Sequence, residues 1–315
     1  MKIALVGPGI MSIPPSGWGA VESLIWDYYQ ELTNLGISVD IINISDRNDI
    51  INRLNNKSYD FIHIHYDVFY DIIPKLKCKN IAITSHYPYI GQMDRYSNDG
   101  YTSIFNFLSN NSSFWLFTLS VKDKFCFLSN GAREDRIIMC ENGVSENFDF
   151  NPKCEYQDKS IYLGKIEPRK RQYLVKDIKS IDFVGPYTDF NLISLENYKG
   201  EMKRIDLYKN LTKYANLILL SQGESDPLVI KEAMMSGLGI VISESSSHMI
   251  DRNEDFIDII PEERINDKNY IQVVIEENRR KSVLRREYIR EYTLKKYSWK
   301  ILVKKYIENI QKILY

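Results

Sequence analysis

Short apolar runs recur along the chain, each followed by polar or helically spaced sequence. Residues 3–6, 37–44, 59–65, 80–84 and 114–119 read as buried strands of the first half. Between the first two, residues 20–35 place Leu24, Tyr28, Glu31, Leu32 and Leu35 near helical spacing, with Gly36 as the C-terminal cap. The second half repeats the alternation, with strands predicted over 161–163, 182–184, 215–220, 240–243 and 256–260. Strands that alternate with helices predict parallel, doubly wound sheets in an α/β fold. A polar stretch over 145–160, with Asn151-Pro152, reads as a linker. It divides the chain into a first domain over 1–150 and a second over 151–297. From Trp299 onward, Leu302, Val303, Tyr306, Ile307, Ile310, Ile313 and Leu314 fall on one helical face. That face predicts a last helix over 298–315 that packs on a core.

Length and composition change this picture little. The chain has 315 residues, 44% hydrophobic and 26% charged, as two globular domains with their own cores require. A net charge of −1 gives no nucleic-acid signal. The first 150 residues carry 12 Lys+Arg against 17 Asp+Glu and the remainder 29 against 25, so the second half is the more basic and suits phosphate. The four cysteines, Cys78, Cys126, Cys140 and Cys154, lack metal-ligand spacing and read as reduced thiols of a cytoplasmic protein. No apolar stretch is long enough to span a bilayer. Peripheral contact with the inner face of a membrane stays open, given the lysines around the last helix.

The candidate chemistry centres on residues 222–237. The predicted strand over 215–220 runs into a polar turn carrying Glu224. Pro227 then stands at a helix start, which suits its fixed φ and missing N–H. Leu228, Val229 and Ile230 open the helix, and Gly237 closes it. Free N–H groups at such a start can face a phosphate. Glu232, about 7.5 Å along the helix from Pro227, can accept hydrogen bonds from a vicinal diol such as a ribose. Glu224, ahead of the helix, can meet whatever is joined to the far phosphate.

Two glutamates with seven residues between them at a strand-to-helix junction, followed by Ala233-Met234 and Gly237, resemble the Glu-x7-Glu motif of family 4 retaining glycosyltransferases. The resemblance implies that Glu224 contacts the transferred sugar and Glu232 the nucleotide ribose. Asp226-Pro227 stands where that family has Phe-Gly. Other segments match in order. Gly17-Trp18-Gly19 and Glu22 resemble a glycine-rich loop that approaches the donor diphosphate. His63 and His65 end one strand and His86 the next. His86 matches a histidine near the transferred sugar, while His63 and His65 suit the acceptor side; the long aromatic connection that starts at Tyr87 reads either as an acceptor loop or as a plain lid over the core. Asn142-Gly143-Val144 resembles the segment that closes the first domain. Gly164, Lys165 and Lys170 match Gly-Arg-x-x-x-x-Lys, whose two cations grip the diphosphate, with lysine in the arginine position. An exposed basic turn describes Arg169 and Arg171. Met202 follows a strand whose loop touches the base in that family, or is simply core. Tyr297-Ser298-Trp299 resembles the start of the last helix.

The resemblance implies a GT-B fold, two Rossmann-like domains facing across a cleft. The first would bind the acceptor, a saccharide or glycoconjugate, and the second a nucleoside-diphosphate sugar, gripped by Asp226, Pro227, Leu228 and Val229 with the cations above. It implies no cofactor. With no Asp-x-Asp, no metal is expected either. Two other readings are weaker. Gly7-x-Gly9 invites a dinucleotide-binding oxidoreductase, yet Pro14-Pro15 stand where its helix would open. A non-catalytic sugar-binding subunit fits poorly with Glu224, Glu232, Lys165 and Lys170 all in place. The base, the sugar, the acceptor and the oligomeric state are not written in the sequence.

Overall fold

A computed structural model describes residues 1–188 and 196–315. The chain forms two compact units. Unit 1 comprises 1–15, 19–143 and 299–315, and unit 2 comprises 16–18 and 144–298.

Unit 1 holds six parallel strands: β1 (Lys2–Gly7), β2 (Ser38–Asn43), β3 (Phe61–Ile64), β4 (Ile81–Thr84), β5 (Trp115–Thr118) and β6 (Ile137–Met139). Their order is β2-β1-β3-β4-β5-β6. The helices α1 (Ala20–Asn34), α2 (Arg47–Asn55), α3 (Thr102–Leu108) and α4 (Val121–Ser129) connect them. β3 and β4 are buried at every position, so their sequences are continuously apolar apart from His63 and Thr84 rather than alternating. The chain leaves β1 towards β2 on one side and β3 on the other. Loops after β1 and β3 therefore part at the carboxyl edge, where open α/β sheets bind ligands.

The loop after β1 is long because no helix opens until Ala20. Gly9 has φ +69, and a Cβ there would lie 2.2 Å from the Ile44 carbonyl carbon. Only glycine permits that approach. Asn43 then clamps the loop, accepting from Gly9 N–H at 2.8 Å and donating to the Met11 carbonyl at 2.7 Å. The two glycines thus pack the loop against the end of β2, and no tight strand-to-helix turn of the dinucleotide kind forms.

Unit 2 holds β7 (Tyr156–Leu163), β8 (Ile181–Val184), β9 (Tyr214–Leu219), β10 (Gly239–Ser243) and β11 (Ile257–Ile260), ordered β11-β10-β9-β7-β8 among the described residues. All neighbouring strands are parallel. Asn197 and Lys199 extend the edge by bonding the Phe183 backbone at 2.9 Å each. Its helices are α5 (Arg204–Asn210), α6 (Leu228–Met235) and the 30-residue α7 (Lys268–Tyr297). Here the sheet changes direction between β7 and β9, so the loops after those strands emerge side by side.

The units divide between Gly143 and Val144 rather than at 150, because Val144 and Phe148 are core residues of unit 2. The last helix, α8 (Trp299–Leu314), belongs to unit 1. Trp299 donates its indole N–H to Asp27 at 3.0 Å, and its ring lies 4.5 Å from that of Tyr28. Gly143 lies under the same ring: a Cβ there would be 2.4 Å from it. This explains glycine in Asn142-Gly143-Val144 by close packing. No helix among the described residues is long and apolar enough to cross a membrane.

Candidate functional site

In unit 2 the loops after β7 and β9 meet. Tyr162, fully buried in β7, joins them: its hydroxyl accepts from Leu220 N–H at 2.7 Å and donates to the Lys170 carbonyl. The Gln222 N–H adds a bond to the Arg169 carbonyl at 2.9 Å. Loop register is therefore set by backbone bonds. Arg171 follows with φ 56, uncommon for a residue with a side chain, and its guanidinium is held by Glu262 at 2.9 Å.

This stitching brings Lys170 onto Glu224. The ammonium bonds Oε1, and the side chains are only 11% and 10% exposed. Arg169 reaches the same oxygen at 3.6 Å and donates to the Gly223 carbonyl at 3.3 Å. Burial pushes the Glu224 carboxyl up, but the Lys170 ammonium and the Arg169 guanidinium more than offset this and hold it below the usual carboxylate range. Glu224 is thus an anion at neutral pH.

Lys165 takes a different partner. Its ammonium lies 3.4 Å from Glu167, which also accepts from Arg169 Nε at 2.6 Å. The basic turn is therefore not simply solvated, since Arg169 belongs to the Glu224 cluster.

Helix α6 starts directly after the Glu224 loop, with Pro227 as its N-cap at φ −72 rather than as its first helical residue. Its far end is capped by α7: Arg290 donates to the Met235 carbonyl at 2.6 Å and Arg286 to the Ser236 carbonyl at 3.2 Å. Two cations there match the negative end of the helix dipole. Glu232, inside the helix, pairs with Arg204 of α5. Arg204 in turn lies over Phe148 and Tyr208, 5.5 and 5.1 Å from their ring centres.

Several expected site residues sit elsewhere. The Asp226 carboxylate is engaged by Lys231 at 2.7 Å, with both side chains 1% exposed, so it is not presented for donor binding as expected. Lys231 also lies 5.0 Å from the centre of the Tyr297 ring. The pair is a buried structural ion pair that secures the first turn of α6. Met202 is partly buried against the unit 2 core. A Cβ on Gly17 would be 2.7 Å from Glu201 Oε1, while the neighbouring Trp18 is exposed. Gly164 directly follows β7 with φ +148, and Gly19 caps α1.

The second cluster lies at the carboxyl edge of the unit 1 sheet. His63, His65 and His86 stack in sequence, with ring centres 3.8 and 6.1 Å apart. His63 is lowest: one ring nitrogen bonds the Tyr306 hydroxyl at 3.0 Å and the other Thr84 at 2.8 Å. With both nitrogens engaged and the side chain buried, His63 is structural, which corrects its expected acceptor role. Both ring nitrogens of His65 and Nε2 of His86 are buried without a hydrogen-bond partner among the described residues. Burial lowers the pKa of His86 to about 4, and it also lowers those of His63 and His65 well below the ordinary value, aided by the neighbouring histidines. All three are neutral at pH 7. Tyr87 donates to Asp99 at 2.6 Å and stacks on Tyr101 at 3.9 Å.

Sequence reasoning missed Arg204, Tyr162 and the part taken by Arg169. Arg169 adjoins Lys170, but its direction has no local signal. Arg204 and Tyr162 lie on other elements, with nothing in their spacing that ties them to the glutamates.

No family model matches the sequence, and no curated protein does. Solved structures match along the whole chain. Anabaena Alr3699/HepE in complex with UDP-glucose superposes with a TM-score of 0.75 at 15% identity, covering 99% of this chain and 100% of that one. The fold is GT-B. AviGT4, a glycosyltransferase involved in avilamycin A biosynthesis, gives 0.72 at 15% identity over 100% of this chain and 98% of its own. The lipopolysaccharide outer core galactosyltransferase WaaB in its apo form gives 0.68 at 15%, covering 99% of each. At such identity the likeness carries the GT-B fold and not the activity.

Proposed function

We propose that this protein is a retaining glycosyltransferase of the family 4 type. It moves a sugar from a nucleoside-diphosphate sugar to an acceptor hydroxyl of a saccharide or glycoconjugate. The observation that carries this reading is Glu224 paired with Lys170 beside the start of α6, with Glu232 farther along that helix. A cation and helix N–H groups suit a diphosphate, and two carboxylates in line with it suit the sugar and the ribose. Two structural neighbours that are glycosyltransferases, and a third structure bound to UDP-glucose, add support.

In the reaction, the bond between the anomeric carbon and the diphosphate oxygen breaks and positive charge develops on the sugar. Glu224 stabilises that charge. Lys170 and the α6 start hold the leaving phosphates. The acceptor hydroxyl bonds to the anomeric carbon on the same face, its proton passing to the departing phosphate oxygen. His86, neutral at pH 7, accepts or donates one hydrogen bond to a sugar hydroxyl from unit 1, where His65 and Tyr87 belong to the acceptor side. Protein cations replace a divalent metal at the phosphates in this reading. The reaction runs in the cytoplasm, where nucleotide sugars are made.

A thermal-shift panel of nucleoside diphosphates and nucleotide sugars, run in EDTA, tests the reading. A ligand at 100 times its Kd stabilises by about 2.7 kcal/mol, a clear rise in Tm. No shift with any of them overturns the proposal, and loss of every shift on chelation overturns its metal-free part.

A further inference from the structure

We infer that Arg169, rather than Lys165, is the second diphosphate-binding cation beside Lys170. The inference rests on the donor site proposed above and names which side chains build its phosphate subsite.

Of the four cations at 165, 169, 170 and 171 on the loop after β7, Arg171 is held by Glu262, Lys165 and Arg169 both contact Glu167, and Arg169 and Lys170 reach Glu224. Lys170 and Arg169 converge on one oxygen, Glu224 Oε1, the guanidinium at 3.6 Å. Lys165 pairs with Glu167 at 3.4 Å. The backbone makes the same division. The Arg169 carbonyl accepts directly from Gln222 N–H on the Glu224 loop, while the Lys170 carbonyl accepts from the Tyr162 hydroxyl of β7, which itself accepts from Leu220 N–H. The Lys165 carbonyl instead accepts from Gln172 Nε2 at 2.9 Å, within its own loop.

The chemistry favours the same residue. A guanidinium offers a planar fork of donors that matches two phosphate oxygens, which an ammonium does not. Glu167 holds the Nε edge of Arg169 at 2.6 Å, and the Gly223 carbonyl takes Nη1 at 3.3 Å. Both bonds fix the plane of the fork before a ligand arrives, which lowers the ordering cost of binding. Glu167 thereby serves as the positioning carboxylate of Arg169. On binding, the diphosphate replaces Glu224 as the partner of Arg169 and Lys170, and Glu224 becomes available to the sugar.

Calorimetry with UDP, GDP and ADP first identifies the diphosphate that the wild type binds. That diphosphate and its monophosphate are then titrated into Arg169→Met, Arg169→Lys and Lys165→Met. Arg169→Met is expected to weaken the diphosphate by about 10-fold to 100-fold, the loss of one charge-assisted bond. The monophosphate should weaken much less, so the ratio of the two affinities collapses. Arg169→Lys should recover part of that ratio, and Lys165→Met should lower it less than Arg169→Met does. A change in overall packing would weaken both ligands together and leave the ratio intact, which overturns the inference. A larger loss of the ratio in Lys165→Met than in Arg169→Met also overturns it while the donor-site reading stands. Absence of binding by the wild type to all three diphosphates overturns that reading, and the inference with it.

Discussion

The carboxyl edges of the two sheets share a topology and differ in chemistry. In each unit the chain changes direction within a parallel sheet, and the loops after two adjacent strands carry the candidate residues. In unit 2 these are charged and paired: Glu224 with Lys170 and Arg169, and Glu232 with Arg204. In unit 1 they are neutral rings, where burial strips the histidines of charge. In unit 2 the loops follow β7 and β9, where the sheet changes direction, and in unit 1 they follow β3 and β4; the flanking side chains decide whether the edge is charged or neutral. Burial acts on both sites. It wins where no opposite charge is near, and it loses where a lysine and an arginine face a carboxylate.

The largest expected effect comes from removing the charge at the centre of the unit 2 cluster. Glu224→Gln should lower kcat by about 100-fold to 1000-fold, as for other groups aimed at developing charge. Binding of the bare nucleoside diphosphate should survive, because Lys170 and Arg169 lose a competing partner. Steady-state kinetics with calorimetry checks this, and loss of nucleotide binding instead would reverse the order of the two glutamates along the ligand.

Acid should separate the two edges. For His86 the folded pKa of about 4 lies below the ordinary value of 6.5, so the unfolded chain binds the proton first. Stability should fall as pH drops from about 6.5 towards 4, by up to about 3 kcal/mol. Glu224 has a lowered pKa, so its contribution is present above the ordinary glutamate value of 4.5 and is lost only as pH falls below it. Urea unfolding between pH 8 and 4 should therefore show the histidine loss first, and His86→Gln should make it smaller, with His63 and His65 supplying the remainder. An unchanged pH profile in that variant would show that His86 does not titrate in this window.

Glu232→Gln tests the second carboxylate. It should weaken nucleotide binding by about 1.5–3 kcal/mol while kcat changes less, because a ribose contact is the same in the ground and transition states. Equal losses in kcat and in affinity would place Glu232 at the reacting centre.

The smallest effect concerns the stitch between the loops. Tyr162→Phe leaves the Leu220 N–H without its acceptor and should cost about 1–2 kcal/mol of stability. Chemical denaturation measures it, and no loss would mean that the remaining loop contacts hold Lys170 against Glu224 unaided.

The residues alone determined the alternation of strands and helices, the placement of Glu224 ahead of α6, and the position of Glu232 inside it. These follow from local rules: apolar runs make strands, Pro227 marks a helix start, and spacing along a helix converts directly to distance. The lysine at 170 was legible only through the match of Gly164 to Lys170 to Gly-Arg-x-x-x-x-Lys. Tertiary structure alone decided which way each side chain faces and whom it meets. Asp226 lies two residues from Glu224 yet is buried against Lys231, while Glu224 faces Lys170. Arg169 and Lys165 share one loop and one partner, Glu167, yet Arg169 also reaches Glu224. His63 and His65 share a strand face, but α8, arriving from the far end of the chain, brings Tyr306 to His63. Arg204 reaches Glu232 from a separate helix. The physical reason is common to all four. Local spacing sets where a backbone runs, whereas the partner of a charged or polar group, near or distant in sequence, is chosen by how the chain packs around it, where an unpaired buried group costs too much to keep.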